Sequence, residues 1–218
     1  MNFEKARFTM VNQNIRSWNV SDRRVLDALF AIPREAFVPS EYQEFAYADT
    51  GIPLADGQEM MLPQIAARVL QALDLASTDH VLEVGTGSGY LTALIAMLAR
   101  DVVSIEISPS LHRLATAALA AQGVRNAQVF SGDATTDWDQ EAPFDAIAVT
   151  GSVPVLPTHF QQQLKENGRL FVVVGKNPVM EARLITRTGP EDWKEDVLFE
   201  TSLPPLRATT PPAGQFVL

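Results

Sequence analysis

The stretch Val81-Leu-Glu-Val-Gly85-Thr-Gly87-Ser-Gly89-Tyr90 constrains the fold more than any other part of the chain. The short apolar run at 80–84 reads as a buried strand. Three glycines at alternate positions then let the backbone turn sharply and let a ligand approach the main chain. Residues 89–99 read as an apolar helix. A strand, a glycine turn and a helix in that order open a parallel sheet that holds a nucleotide-like ligand at its carboxyl edge.

The segments that follow repeat the alternation. Residues 102–106 form a second strand, and Ser108-Pro109 starts a helix that runs to about Gln122 and stops at Gly123. Further strands are expected at 127–130, 144–149 and 169–174, with a helix at 157–165 before the last. Residues 180–200 read as one or two antiparallel strands at the sheet edge. The fold class is therefore α/β: a doubly wound, Rossmann-like, mostly parallel sheet with antiparallel edge strands and N-terminal helices. Upstream, Ser21 is placed to cap a helix carrying Val25, Leu26, Leu29 and Phe30, stopped by Pro33. Residues 46–62 read as a long loop, and Pro63 starts a helix carrying Ile65, Val69, Leu70 and Leu73. The expected organisation is 1–62, a helical extension with an active-site loop; 63–203, the ligand-binding sheet domain; and 204–218, an extended Pro-rich tail ending in a frayed Phe216-Val217-Leu218.

Charge and composition exclude several classes. With 26 acidic and 17 basic residues the formal charge is −9, which disfavours nucleic-acid and anionic-membrane partners. There is no cysteine, so disulfides, thiolate nucleophiles and Cys-type metal sites are absent. His80, His112 and His159 show no metal-ligand spacing, and no metal is expected. No apolar run has membrane-helix length and the start has no signal-peptide core, so the expected location is cytoplasmic.

Two ligands compete for the glycine turn. A dinucleotide fingerprint is G-x-G-x-x-G, but this chain has G-x-G-x-G with Tyr90 where the third glycine belongs. The tighter spacing, with Glu83 before it, is the pattern of S-adenosyl-L-methionine (SAM) methyltransferases. SAM has an amino group and a carboxylate that an acid and backbone groups can hold. Glu106 ends the second strand 21 residues after Gly85, where a carboxylate can accept both ribose hydroxyls. Dinucleotide folds use the same position, so Glu106 alone does not separate the ligands. Asp133 follows the third strand and can accept from an adenine amino group. The candidate cofactor-binding set is Glu83, Gly85, Thr86, Gly87, Ser88, Gly89, Glu106, Ile107, Gly132, Asp133, Ala134 and Thr150. Asp145 reads as structural. Trp138 is open between flanking the adenine and capping the core.

With Ile32-Pro33-Arg34-Glu35-Ala36-Phe37-Val38-Pro39, Ala46-Tyr47-Ala48-Asp49, Gly57-Gln58, the Val81–Tyr90 turn, Gly132-Asp133, 144–150 and Gly168-Arg169-Leu170 also present, nearly the whole chain resembles the protein-L-isoaspartate O-methyltransferases. The resemblance implies SAM as cofactor and a protein or peptide substrate with isoaspartyl residues, whose α-carboxylate is methylated. The ester then collapses to a succinimide that returns part of the damaged protein to normal aspartate. A carboxylate is already nucleophilic at neutral pH, so no catalytic His or Cys is needed.

The acceptor half departs from the family pattern. The family carries Gly-Gln-Thr-Ile-Ser-x-Pro before the first core helix, with the two hydroxyls beside the methyl donor and the substrate carboxylate. Here the stretch is Gly57-Gln58-Glu59-Met60-Met61-Leu62-Pro63. Glu59 and Met61 therefore occupy the acceptor-loop catalytic positions without a hydroxyl. The family's Phe-Val-Pro-Leu segment appears as Ser202-Leu-Pro-Pro-Leu206, and Thr150 is followed by Gly151-Ser152-Val153. Two alternatives follow: a SAM methyltransferase with a different acceptor, or a SAM-binding protein that has lost catalysis.

Overall fold

A computed structural model describes residues 2–135, 138 and 140–208. The chain opens with α1 (Phe3–Thr9), which widens into a π-helical stretch over Met10–Ile15, and α2 (Arg23–Ala31). A two-stranded hairpin follows, β1 (Ile52–Pro53) and β2 (Glu59–Met60), and then α3 (Pro63–Leu73). The βα alternation comes next: β3 (His80–Val84), α4 (Tyr90–Leu98), β4 (Asp101–Glu106), α5 (Pro109–Ala121), β5 (Ala127–Ser131), β6 (Phe144–Val153), α6 (Thr158–Gln162) and β7 (Leu164–Lys176). Two antiparallel strands, β8 (Val179–Arg187) and β9 (Trp193–Thr201), complete a seven-stranded sheet of order β5-β4-β3-β6-β7-β8-β9.

The sheet is mostly parallel, with an antiparallel meander through β8 and β9 at one edge. From β3 the chain builds outward through β4 to β5, then returns to pair β6 against the other side of β3. The reversal leaves a crevice above the carboxyl ends of β3 and β6, where such sheets bind ligands. Strand alternation feeds two cores. Val81, Val102, Ala146, Ala148 and Phe171 face the N-terminal helices, α3 and α4. Leu82, Val84, Val103, Ile105 and Ile147 face the opposite side with Phe160 of α6.

Several boundaries differ from the sequence expectation. The cap of α2 is Asp22, which accepts from the Arg24 amide, while the Ser21 amide is held by Gln71 Oε1 at 2.7 Å. The 46–62 loop contains the β1–β2 hairpin and a 3-10 turn at Ala55–Gly57. The helix before the fifth core strand is shorter, and β7 begins at Leu164, because Leu164 already pairs with Phe144 of β6. The start of the expected tail is docked: the Ser152 amide donates to Pro204 O and the Leu206 amide to Ser152 O, at 2.9 and 2.8 Å. Phe216-Val217-Leu218 lies outside the described residues. Asp145 is structural, accepting from the His80 amide at 2.8 Å and from Lys165 Nζ at 2.7 Å. Burial works against its charge, but those two donors hold the carboxyl below its usual range. No helix among the described residues is long and apolar enough to cross a membrane.

Arg34 ties the N-terminal region to the segment before α3. Its side chain is 1% exposed and stacks on the Tyr90 ring, 4.9 Å from the ring centroid. Nε donates to Ala46 O at 2.8 Å and one terminal nitrogen to Met61 O at 2.7 Å. Burial pulls the guanidinium down to about 10, which leaves it charged at neutral pH. Replacing it strips two buried carbonyls of their donors, each worth about 1–3 kcal/mol. Arg34→Met is expected to lower stability by about 3 kcal/mol, read as a fall in the urea midpoint at constant m-value; an unchanged midpoint would contradict this role.

Candidate active site

The crevice is a cleft of about 210 Å³ roofed by the 51–62 segment and by residues 202–207. Its floor is the glycine turn. Gly85 follows β3 with φ +94°, and a Cβ there would collide with Thr150 Oγ1. The Thr150 hydroxyl itself donates to Val84 O and Gly85 O, at 2.9 and 2.7 Å, so Thr150 holds the turn down from β6. Gly89 caps α4 in the left-handed region, and its missing side chain lets Ala115 and Leu119 of α5 come close.

Two carboxylates organise this floor. Glu106, 4% exposed at the end of β4, accepts the Gly87 amide on Oε2 at 2.8 Å and the Ser108 amide on Oε1 at 2.9 Å. One carboxylate thus joins the glycine turn to the start of α5, and its remaining lone pairs are available on the cleft wall. Glu83 is fully buried in β3. The parallel register sets it beside Ser104 of β4, whose hydroxyl donates to Oε2 at 2.5 Å, as does that of Thr92. Glu83 Oε1 has no partner although it is buried. Burial pushes the carboxyl up to about 7 against the pull of those two hydroxyls. These carboxylate acceptors suit a ligand that donates through paired hydroxyls and an ammonium group. Hydroxyls would share Glu106, and a cation would satisfy the orphaned Glu83 oxygen.

The sequence candidates separate into groups. Glu83, Gly85, Thr86, Gly87, Ser88, Glu106, Ile107 and Thr150 line the cleft together with Glu59 and Met61. Gly132 and Ala134 line a smaller adjoining hollow that shares Gly85, Ile107 and Leu206 with it. Asp133 lines neither; its Oδ1 accepts from the Thr135 amide and hydroxyl, closing its own turn. Trp138 lies over Gly132 and packs on Phe130, with ring centroids 5.6 Å apart, in the core beneath β5. Among the described residues no group of His, Asp and Glu could hold a metal ion.

Three comparisons bear on identity. The sequence profile of the protein-L-isoaspartate(D-aspartate) O-methyltransferase (PCMT) family matches residues 5–206. The chain belongs to this family. It is 39% identical over 203 residues to a protein-L-isoaspartate O-methyltransferase of Magnetococcus marinus, covering 93% of this chain and 89% of that one. It is 42% identical over 194 residues to a protein-L-isoaspartate O-methyltransferase 1 of Syntrophobacter fumaroxidans, covering 89% and 90%. In fold it is similar to a putative family member from Plasmodium falciparum, solved in complex with S-adenosyl-L-homocysteine, with a TM-score of 0.81 at 21% identity over 95% of this chain and 99% of that one.

The cleft also takes in residues outside the expected site set. Arg34 and Tyr90 line the cleft, and each has a buried polar atom without a partner, Arg34 Nη1 and the Tyr90 hydroxyl. Arg34 belongs to the Pro-Arg-Glu string, but its burial depends on tertiary packing. Residues 204–207 begin the expected Pro-rich tail, and Ser202–Leu206 stands where the family has its Phe-Val-Pro-Leu segment. They cross the cleft because the Ser152 hydroxyl holds Leu203 O at 2.9 Å, and Gly151 leaves room for the Leu206 backbone. The Arg207 guanidinium reaches Asp56 O at 3.3 Å, joining the two halves of the roof. Asp56 accepts from the Ser108 hydroxyl, and from that of Ser110 at 2.6 Å, which lower its carboxyl pKa and tie the roof to α5.

Two outcomes follow from the carboxylates. The folded pKa of Glu83, about 7, lies above the ordinary 4.5. Its stabilising contribution to the ligand-free protein is therefore full below pH 4.5 and lost as pH rises through about 7. Glu83→Gln removes this slope, so urea midpoints at pH 5 and pH 8 should converge relative to wild type; an unchanged difference would contradict the shift. Glu106→Ala should weaken S-adenosyl-L-homocysteine binding by tenfold or more, since a charge-assisted bond is worth about 1.5–3 kcal/mol. Calorimetry checks this, and unchanged affinity would remove Glu106 from the ligand site.

Proposed function

We propose that the protein is a SAM-dependent O-methyltransferase that methylates the α-carboxylate of isoaspartyl residues in damaged proteins or peptides. The observation that carries the reading is the pair of cleft carboxylates on the glycine turn, Glu106 with its spare lone pairs and Glu83 with its orphaned oxygen, in a chain that matches the family over residues 5–206. Glu106 takes the ribose hydroxyls, and Glu83 with the Gly85–Gly87 backbone takes the amino-acid end. Ile107, Gly132 and Ala134 form the side toward the base. When bound, SAM supplies an electrophilic methyl on a sulfonium.

The chain's own part in the reaction is placement. The acceptor carboxylate is ionised at neutral pH, so no group need remove a proton from it. The roof segments 51–62 and 202–207 would exclude water from the cleft and hold the acceptor in line with the methyl. The buried Arg34 cation behind Met61 gives that end of the cleft a positive field that favours a carboxylate. No hydroxyl stands at positions 59 and 61, so positioning there falls to backbone groups and to this field. The net charge of −9 favours a peptide acceptor over a nucleic acid.

A matched pair of peptides, one isoaspartyl and one aspartyl, tests the reading with methyl-labelled SAM. Base-labile label on the isoaspartyl peptide alone is the expected result. Cofactor binding with no transfer to the isoaspartyl peptide would overturn the acceptor assignment, and would favour the changed-acceptor reading that Glu59 and Met61 raise.

A further inference from the structure

Strand β2 forms part of the cleft roof. Met60 is 4% exposed and packs against the core beneath the cleft wall, while Glu59 beside it is exposed and lines the cleft with Met60 and Met61. The pairing of Pro53 with Glu59 and of Ile52 with Met60 fixes this register. A slip of one residue would bury the carboxylate and expose Met60. Glu59 is exposed on the inner side of the roof, and its carboxylate has no hydrogen-bond or ion-pair partner among the described residues. The nearest constraint on it is Gly51, where an added Cβ would stand 2.7 Å from Glu59 Oε2.

The other charges of the cleft are already engaged or lie elsewhere. Glu83 and Glu106 are buried on the floor with hydroxyl and amide donors. Arg34 is buried behind Met61, and Arg207 on the rim donates to Asp56 O rather than to Glu59. At the acceptor end the cleft therefore has a fixed cation inside and a free anion at its mouth. A carboxylate can enter toward Arg34, but it must pass Glu59, which repels it. An acceptor that carries a cation next to its carboxylate turns this repulsion into attraction.

We propose that Glu59 is a specificity residue that selects isoaspartyl acceptors flanked by a lysine or arginine side chain. The inference rests on the isoaspartyl reading above. Glu59 acts through charge at the mouth and takes no part in binding the cofactor. Because it is exposed, its effect falls with ionic strength as screening shortens the reach of the charge to about 3 Å at 1 M salt.

Three isoaspartyl peptides, identical except for Lys, Gln or Glu on both sides of the isoaspartyl residue, test the proposal by kcat/KM at low and high salt. The wild type should rank them Lys, Gln, Glu, with about tenfold between the extremes at low salt, because going from Lys to Glu exchanges an exposed attraction for an exposed repulsion. High salt should compress the range. Glu59→Gln should flatten the ranking while leaving S-adenosyl-L-homocysteine affinity unchanged. Equal rates on all three peptides, or a ranking that survives Glu59→Gln, would overturn this proposal and leave the isoaspartyl reading intact. A loss of cofactor affinity in Glu59→Gln would overturn it as well, by placing the carboxylate on the cofactor. Transfer to none of the peptides with cofactor binding intact would overturn the isoaspartyl reading and this proposal together.

Discussion

The amides of Gly87 and Ser108 converge on one carboxylate, and the cleft depends on that convergence. Glu106 sits at the end of β4, between the turn that follows β3 and the first residue before α5. Each amide would otherwise be a donor at a tight turn or a helix start with nothing to accept it. By accepting both, the carboxylate fixes how far the glycine turn stands from α5, and so how wide the floor of the cleft is. Glu83 does the corresponding work one strand over. It binds β4 through Ser104 and α4 through Thr92, and leaves one oxygen over. Both acids are buried beside donors, two amides for Glu106 and two hydroxyls for Glu83, and for Glu83 burial still outweighs them and raises its pKa.

The roof is held by different means. Arg34 reaches Met61 O from behind, a two-residue hairpin sets the direction of Glu59, and Ser152 draws residues 203–206 over the cleft. None of these contacts needs a hydroxyl at 59 or 61. The scaffold that positions the roof is therefore independent of the two side chains it presents, here a carboxylate and a thioether. A fold can keep its cofactor floor and alter its acceptor chemistry because the two are built from separate elements.

The α/β pattern was legible because it is local. The 80–84 run, the three glycines, and Ser108-Pro109 each carry their own strand, turn or cap chemistry, and the structure places β3, the turn and α5 there. What was not legible depended on distant partners. Ser21 and Asp22 are both good caps; Asp22 takes the role, and Gln71, some fifty residues on, accepts both their amides and so fixes where the helix starts. Strands β1 and β2 have two residues each, too short for any periodicity to show. Residues 204–207 have the composition of a tail, and their place over the cleft depends on Ser152. Nothing local to Arg34 shows that it is buried, since Tyr90 and Met61 close around it only in the fold.

A crystal structure with S-adenosyl-L-homocysteine bound tests the central claim most directly. The account predicts that the ribose hydroxyls lie within hydrogen-bond distance of Glu106 while it keeps the Gly87 and Ser108 amides, that the ammonium faces the free oxygen of Glu83, and that Glu59 stays clear of the ligand. A ribose seated away from Glu106, or an ammonium held by Glu59, would contradict the division into a cofactor floor and an acceptor roof.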